Sequence, residues 1–276
     1  MNQKLNNPIM NVGGRVAVVT GAASGIGRAI SLALAQRGCH LALVDKDPAG
    51  LEETAAAVRQ LKVHASCHLL DVTDKSMVAQ LPEQVMASHG RIDILVNNAG
   101  VALGGNFEQV SEADFDFVME INFHSVVRMT RAFLPHLRGS DDAQLVNLSS
   151  LYGLVSPAGQ AAYSASKFAV RGFSNALRHE LDCTSVAVIV VHPGGVATSI
   201  AKNARVPAGV TDEQRQRVQV KIEKLLRMPP QQAGDIIVRG MERRASRILV
   251  GLDAKIVAVL ERLMPVRYWN LLKRGV

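Results

Sequence analysis

Short runs of consecutive apolar residues alternate along this chain with longer stretches in which apolar side chains return every three or four positions. Arg15 to Thr20, His40 to Val44, Lys62 to Leu70, Ile92 to Val96, Gln144 to Leu148 and Val186 to Val191 read as strands, and Ile248 to Val250 as a seventh. Arg28 to Arg37, Glu52 to Gln60, Ser76 to His89, Phe115 to Leu137 and Ala161 to Leu181 read as helices. Strands that are apolar throughout, such as Val16-Ala17-Val18-Val19, are covered on both faces. Their alternation with helices predicts a doubly wound α/β fold, a parallel sheet between two helical layers. Gly, Pro and Ala break the pattern over residues 194–210, and a helical stretch follows around 211–227. We expect a single domain over residues 14–251, a flexible N-terminal tail at 1–13 and an amphipathic C-terminal extension at 252–276.

Composition narrows this picture. The 276 residues are 48% apolar, enough for a large core. Cys39, Cys67 and Cys183 are odd in number and far apart, which argues against a disulfide framework and for a reducing, cytoplasmic setting. Residues 1–11 lack the apolar stretch of a signal peptide, and no run is long enough to span a bilayer. The net charge is +7, and residues 191–276 carry 16 basic against 7 acidic side chains. No helix-turn-helix, zinc or RNA-binding motif accompanies that excess, so nucleic acid is not expected. An acidic substrate, an anionic lipid surface or simple solubility accounts for it equally well.

Two tempting constellations carry little. His64-x-x-Cys67-His68 falls on a strand, where its ends lie about 13 Å apart, too far to share one ion. No carboxylate completes the set, so no metal is expected. Asn147-x-Ser149 matches a glycosylation acceptor but abuts a core strand.

Other motifs carry chemistry. Gly21-x-x-x-Gly25-x-Gly27 follows a strand and opens a helix, the setting in which glycines admit a pyrophosphate to the positive end of the helix. Asp45 closes the second strand, eighteen residues after Gly27, where a carboxylate accepts hydrogen bonds from an adenosine ribose and repels a 2′-phosphate. That favours NAD over NADP, although Lys46 beside it softens the preference. Tyr163 and Lys167 are four apart on a helix and share a face. A nearby ammonium favours the phenolate and lowers its pKa, which suits a tyrosine to proton transfer near neutrality.

Together these motifs resemble the classical short-chain dehydrogenases/reductases, a Rossmann-like family, over roughly residues 14–250. The resemblance brings in Ser24 and Ile26 within the glycine loop, Ser24 standing where NADP-selective members often carry a basic residue. Asp71-Val72 looks like the adenine-contacting pair, and Asn97-Asn98-Ala99-Gly100 like the motif that lines the cofactor. Pro193-Gly194-Gly195-Val196-Ala197-Thr198 resembles the segment in which Val196 and Thr198 anchor the nicotinamide carboxamide. The family's serine lies thirteen residues before its tyrosine, which selects Ser150 over Ser149 to hold the substrate oxygen. Lys167 is implied to bond the nicotinamide ribose, and Asn122 to position a water in a proton relay. The resemblance also implies a homodimer or homotetramer built through the helices at 115–137 and 161–181. His192, just before Pro193, reads as a packed strand-end histidine rather than a ligand.

The implied activity is hydride transfer between NAD(H) and a secondary alcohol or ketone, with Tyr163 carrying the proton. Leu151, Tyr152, Leu154, Val155, Ile200, Val206, Val210, Leu225 and Leu226 suggest a mainly apolar small-molecule substrate. The rivals are an NADP-preferring ketone reductase, a non-catalytic cofactor sensor and a membrane-peripheral binding protein. The intact Ser150, Tyr163 and Lys167 set argues against a sensor, and the glycine spacing against an extended-family epimerase or dehydratase. In the tail, Ile256, Val259, Leu260, Leu263 and Met264 form one apolar helix face, followed by aromatic and basic residues through Arg274. That face packs on its own or a neighbouring subunit, covers the substrate cleft, or rests on a membrane.

Overall fold

The computed structural model describes residues 9–200, 203–207, 210–211, 213, 216 and 225–272. Among these, seven strands form one parallel sheet: β1 (Val16–Thr20), β2 (His40–Asp45), β3 (Ala65–Leu69), β4 (Ile94–Asn97), β5 (Ala143–Leu148), β6 (Val186–Pro193) and β7 (Arg247–Val250). Their order is β3-β2-β1-β4-β5-β6-β7. The first three strands therefore build outward in one direction and the last four in the other. The reversal between β1 and β4 opens a crevice at the carboxyl ends of the strands, where α/β proteins bind ligands.

The helices are α1 (Gly25–Ala35), α2 (Pro48–Gln60), α3 (Lys75–His89), α4 (Glu112–Met119), α5 (Ser125–Gly139), α6 (Ala161–Glu180), α7 (Pro230–Glu242), α8 (Leu252–Leu263) and α9 (Tyr268–Leu272). Local chemistry sets several of their ends. Asp47 caps α2, accepting from the Ala49 amide, with Pro48 in the first turn. Asp74 caps α3 through the amides of Ser76 and Met77, and left-handed Gly90 closes it. Each face of the sheet carries its own core. Ile30, Leu34, Leu51 and Ile237 belong to one, and Leu81, Met129, Phe133 and Leu177 to the other.

The structure departs from the sequence pattern in specific places. The helix expected over 115–137 starts earlier, at Glu112, because Ser111 caps it through the Asp114 amide. A π-helical turn over Glu120–His124 then interrupts it and contains Asn122. β3 is shorter than the apolar run suggested and alternates in exposure, as an edge strand does. Of the expected N-terminal tail, Met10 and Val12 are buried, and the Met10 amide donates to the Glu242 carbonyl at 2.8 Å. The helical stretch expected around 211–227 lies largely outside the described residues, as do residues 273–276. The apolar stripe of the C-terminal helix exists, but most of it faces outward. Only Ala254 and Val257 of α8 are buried.

Among the described residues no helix is long and apolar enough to cross a membrane. Nor does any group of three or more His, Cys, Asp or Glu there suit a metal. His64 instead stacks against His89, with Nδ1 atoms 3.2 Å apart, and His68 bonds Ser66.

Candidate active site

The motif residues gather along the carboxyl edge of β1, β2, β4, β5 and β6. β1 ends in Thr20, and the chain turns through Gly21 at φ +67°. That left-handed conformation suits glycine. Gly27 is required for a different reason: a Cβ there would collide with the Gly21 carbonyl and with Asn98 Nδ2. The Asn98 side chain holds the same turn from β4, donating to the carbonyls of Thr20 at 2.9 Å and Gly21 at 3.2 Å. Thr20 Oγ1 accepts from the Asn98 and Ala99 amides, both at 3.0 Å. Sequence reasoning passed over Thr20. Its only signal was a polar residue closing an otherwise apolar strand.

The glycine loop leads into α1, whose N-cap residue Ser24 makes no side-chain cap bond and whose first turn holds no acidic residue. The helix thus presents uncapped amides and its positive end to the crevice. Together with a loop too tight for a Cβ at Gly27, this fits a dinucleotide pyrophosphate. Gly25 abuts Thr198, since a Cβ on Gly25 would lie 3.3 Å from Thr198 Cγ2, so the segment after β6 closes over the loop. Ile26 is partly buried against the core beneath it. Val196 is buried.

At the end of β2, Asp45 Oδ2 accepts from the Ala23 amide at 2.9 Å, and Oδ1 accepts from the Lys46 and Asp47 amides. Lys46 Nζ lies 3.7 Å from Asp71 Oδ2, so it is drawn toward the β3 side of the crevice. Burial raises the Asp71 pKa, but hydrogen bonds from Thr73 and the Lys46 charge outweigh it and hold the carboxyl below its usual range. Val72 is buried beneath it.

The catalytic candidates meet around α6. Tyr163 lies in its first turn and Lys167 one turn on, with Nζ 5.8 Å from the phenol ring centroid. Ser150 follows β5 and caps a short 3₁₀ turn, Leu151–Gly153. The neighbouring Ser149 is turned inward, its hydroxyl donating to the Lys167 carbonyl at 2.8 Å. Ser149 therefore has a structural partner, whereas the Ser150 hydroxyl accepts from the Tyr152 amide at 3.1 Å and lies beside Tyr163, whose phenolate it favours. Tyr152 packs edge-on against Tyr163, ring centroids 6.0 Å apart.

Gly100 sits where Asn122 and Lys167 converge, since a Cβ there would lie 3.0 Å from Asn122 Oδ1 and 3.4 Å from Lys167 Nζ. The Asn122 amide is engaged elsewhere. Oδ1 accepts from the Val101 amide at 2.8 Å, while Nδ2 donates to the Val101 carbonyl and Ser166 Oγ, both at 3.0 Å. Ser166 in turn donates to the Tyr163 carbonyl at 2.7 Å. Asn122 thus braces the tyrosine's helix. Asn97 does not line the crevice: it is buried, donating to Asn147 Oδ1 at 2.9 Å.

In the cofactor-free protein Lys167 does not by itself lower the Tyr163 pKa. Burial pushes the Tyr163 phenol up and outweighs the lowering by Ser150, and Tyr152 adds to the rise. Lys167 is itself buried, and its ammonium is pushed down to about 8. Its Nζ donates to the Leu148 carbonyl at 3.2 Å. Proximity alone therefore does not give a low-pKa tyrosine in the cofactor-free protein, because Lys167 is buried and Tyr163 is partly buried. At the end of β6, His192 is buried and its Nδ1 lies 2.9 Å from the Ser150 carbonyl.

A parallel sheet with an uncapped, glycine-lined helix start beside a Ser-Tyr-Lys cluster defines a nicotinamide-dependent oxidoreductase. Comparison with known proteins places it further. The short chain dehydrogenase family profile matches residues 15–208. SadH of Mycobacterium tuberculosis, named as an oxidoreductase with no substrate stated, is 41% identical over 95% of both chains. A fatty acyl-CoA reductase of Acinetobacter baylyi is 33% identical over 91% of this chain and 81% of that one. Among solved structures, a short-chain dehydrogenase/reductase from Burkholderia phymatum in complex with NAD has a TM-score of 0.85 at 27% identity, covering 92% of this chain and 95% of that one. A metagenomic short-chain oxidoreductase in complex with NADP has a TM-score of 0.70 at 29% identity, covering 87% and 98%. The chain belongs to the short-chain dehydrogenase/reductase family, NAD(P)-dependent oxidoreductases acting on CH–OH groups.

Proposed function

We propose that this protein interconverts a hydrophobic secondary alcohol and its ketone, with NAD(H) preferred over NADP(H). The observation that carries the reading is the Ser150–Tyr163–Lys167 cluster at the open end of the crevice. A bound nicotinamide supplies or accepts the hydride at C4. Tyr163 takes the alcohol proton in oxidation and returns it in reduction, from its hydroxyl oxygen. Ser150 orients the substrate oxygen through its hydroxyl, which the Tyr152 amide holds at 3.1 Å beside Tyr163. Lys167, fixed at the Leu148 carbonyl, holds positive charge beside the phenol while protonated. Asn122 supports the same unit through Val101 and Ser166, and we assign it the positioning of a relay water near Lys167.

The cofactor is held by Gly21, Ser24, Gly25, Ile26 and Gly27, by Asp45 at the ribose, by Asp71 and Val72 at the adenine, and by Asn98, Ala99 and Gly100. Pro193, Gly194, Val196 and Thr198 serve the carboxamide end. The NAD preference rests on Asp45 at the end of β2, with Lys46 drawn off toward Asp71. An apolar substrate is supported by Leu151 and Tyr152 beside Ser150, and by the acyl reductase among the relatives. Val127, Leu134, Pro135 and Phe173 line an apolar depression between α5 and α6, which supports a homodimer or homotetramer through those helices. The three free cysteines support a cytoplasmic setting.

The test is a fluorescence titration with NADH and NADPH, followed by a secondary-alcohol and ketone screen. Saturable NADH binding tighter than NADPH, with turnover of apolar ketones, is expected. Binding of neither cofactor by folded protein overturns the reading.

A further inference from the structure

Helix α8 turns its large aliphatic side chains away from the molecule. Leu252, Ile256, Val259 and Leu263 fall at i, i+4, i+7 and i+11, a single line along an α-helix. They are 73%, 51%, 57% and 74% exposed, and Val266 just beyond is 87% exposed. The opposite line gives only Ala254 and Val257 to the core. Contiguous apolar surface of this kind marks an interaction site.

The charges around the stripe are sorted. Lys255 and Arg262, seven apart, run along one flank of it and are exposed, and Arg267 is exposed just after the helix. Neither carboxylate of the helix lies on this line. Asp253 Oδ2 accepts from the Gly195 amide at 2.7 Å, and Glu261, nine positions after Leu252, falls on the opposite side of the helix, toward Arg247 of β7. The outward line therefore offers aliphatic groups bordered by cations, without a carboxylate on it.

We propose that this face docks the protein on the anionic surface of a lipid bilayer. An interfacial helix buries its aliphatic stripe at the acyl boundary while basic side chains meet lipid phosphates. A second copy of the same face fits worse, since it would bring cations against cations with no carboxylate to answer them. The attachment is peripheral, because no described helix is long and apolar enough to span.

The docking face is tied to the crevice at two points. Asp253 holds Gly195, in the segment after β6, and Tyr268 Oη of α9 accepts from the Ser156 amide at 3.1 Å, in the segment after Ser150. These segments flank the proposed substrate end, so docking sets that end beside the bilayer, the source of an apolar substrate. This last consequence rests on the proposed oxidoreductase reading; the docking itself does not.

Co-sedimentation of the full chain with vesicles of phosphatidylcholine alone, or mixed with phosphatidylglycerol, tests the proposal. The protein is expected to pellet with the mixed vesicles, weakly with phosphatidylcholine alone, and less in high salt. Lys255→Glu with Arg262→Glu should weaken partitioning into mixed vesicles at least roughly thirtyfold, from about fivefold per cation. Ile256→Glu with Leu263→Glu should abolish it. These side chains face outward, so far-UV circular dichroism and Tm should be unchanged; the charge-reversal pair serves if the apolar pair fails to fold. Equal partitioning of wild type and variants, or no pelleting of wild type, overturns the proposal. So does a lipid-free fall in assembly mass for the apolar pair, which would make the face a contact between copies. NADH binding, measured in parallel, reports on the oxidoreductase reading separately.

Discussion

The ring of His192 meets the main chain of Ser150 across 2.9 Å, from Nδ1 to the carbonyl oxygen. A carbonyl only accepts, so Nδ1 carries the proton and His192 is a neutral donor at the end of β6. Its Nε2 is buried without a hydrogen-bond partner among the described residues. The bond joins the serine-bearing turn to the adjacent strand. His192→Ala should therefore lower kcat on the order of tenfold or more, through a misplaced Ser150 hydroxyl, while KM and NADH affinity change little. His192→Asn, which keeps a donor near the same place, should recover most of the loss. Equal loss in both variants would mean that the bond does not position Ser150.

Tyr163→Phe removes the phenol oxygen proposed to carry the proton but keeps the ring against Tyr152. Turnover should fall by about a hundredfold to ten-thousandfold, with NADH binding retained. Near-normal steady-state rates would remove Tyr163 from proton transfer.

Asp45 is held by three main-chain amides, those of Ala23, Lys46 and Asp47, so its position is fixed before any cofactor arrives. Asp45→Ala should lower the ratio of kcat/KM for NAD over NADP by roughly tenfold or more, the worth of a hydrogen bond to a charged group. An unchanged ratio would place selectivity elsewhere.

Stability should fall on mild acidification. Burial holds His192 at about 4, with Arg247 and Arg171 adding to the depression against the bond to Ser150. Burial and the neighbouring His64, His68 and His40 hold His89 at about 4 as well. Both are neutral in the fold, so the unfolded chain binds more protons between 6.5 and about 4. The stabilisation is full above pH 6.5 and is lost as pH falls through that window, about 3 kcal/mol from His192. Thermal melts across the range should show Tm dropping, with a shallower slope in His192→Asn. Identical slopes would show that His192 does not contribute.

Much of this was legible along the chain. A sheet covered on both faces needs strands that are apolar throughout, and runs such as Val16 to Val19 show that directly. The placement of the glycine loop at the start of α1, of Asp45 at the end of β2, and of Tyr163 with Lys167 on α6 was also legible, because it is set by spacing within one turn or one strand-helix unit. The π-helical turn at Asn122 was not, since a single helical period runs through it. His192 was legible as a packed strand-end histidine and is buried at the end of β6, but the bonds of Thr20 and His192 were not legible, because their partners lie 78 and 42 positions away.

The sequence by itself determined which segments become strands and helices, and which residues can bear a proton, a charge or a tight turn. Those are local properties of side-chain volume, branching and period. The tertiary structure alone decided their surroundings. It turned Ser149 inward, set Ser150 at the Tyr152 amide beside Tyr163, and buried Lys167 so that its ammonium is pushed down to about 8. It also faced the aliphatic stripe of α8 outward although the same residues would have suited a core. Orientation and solvation depend on what packs opposite a residue, and that neighbour comes from elsewhere in the chain.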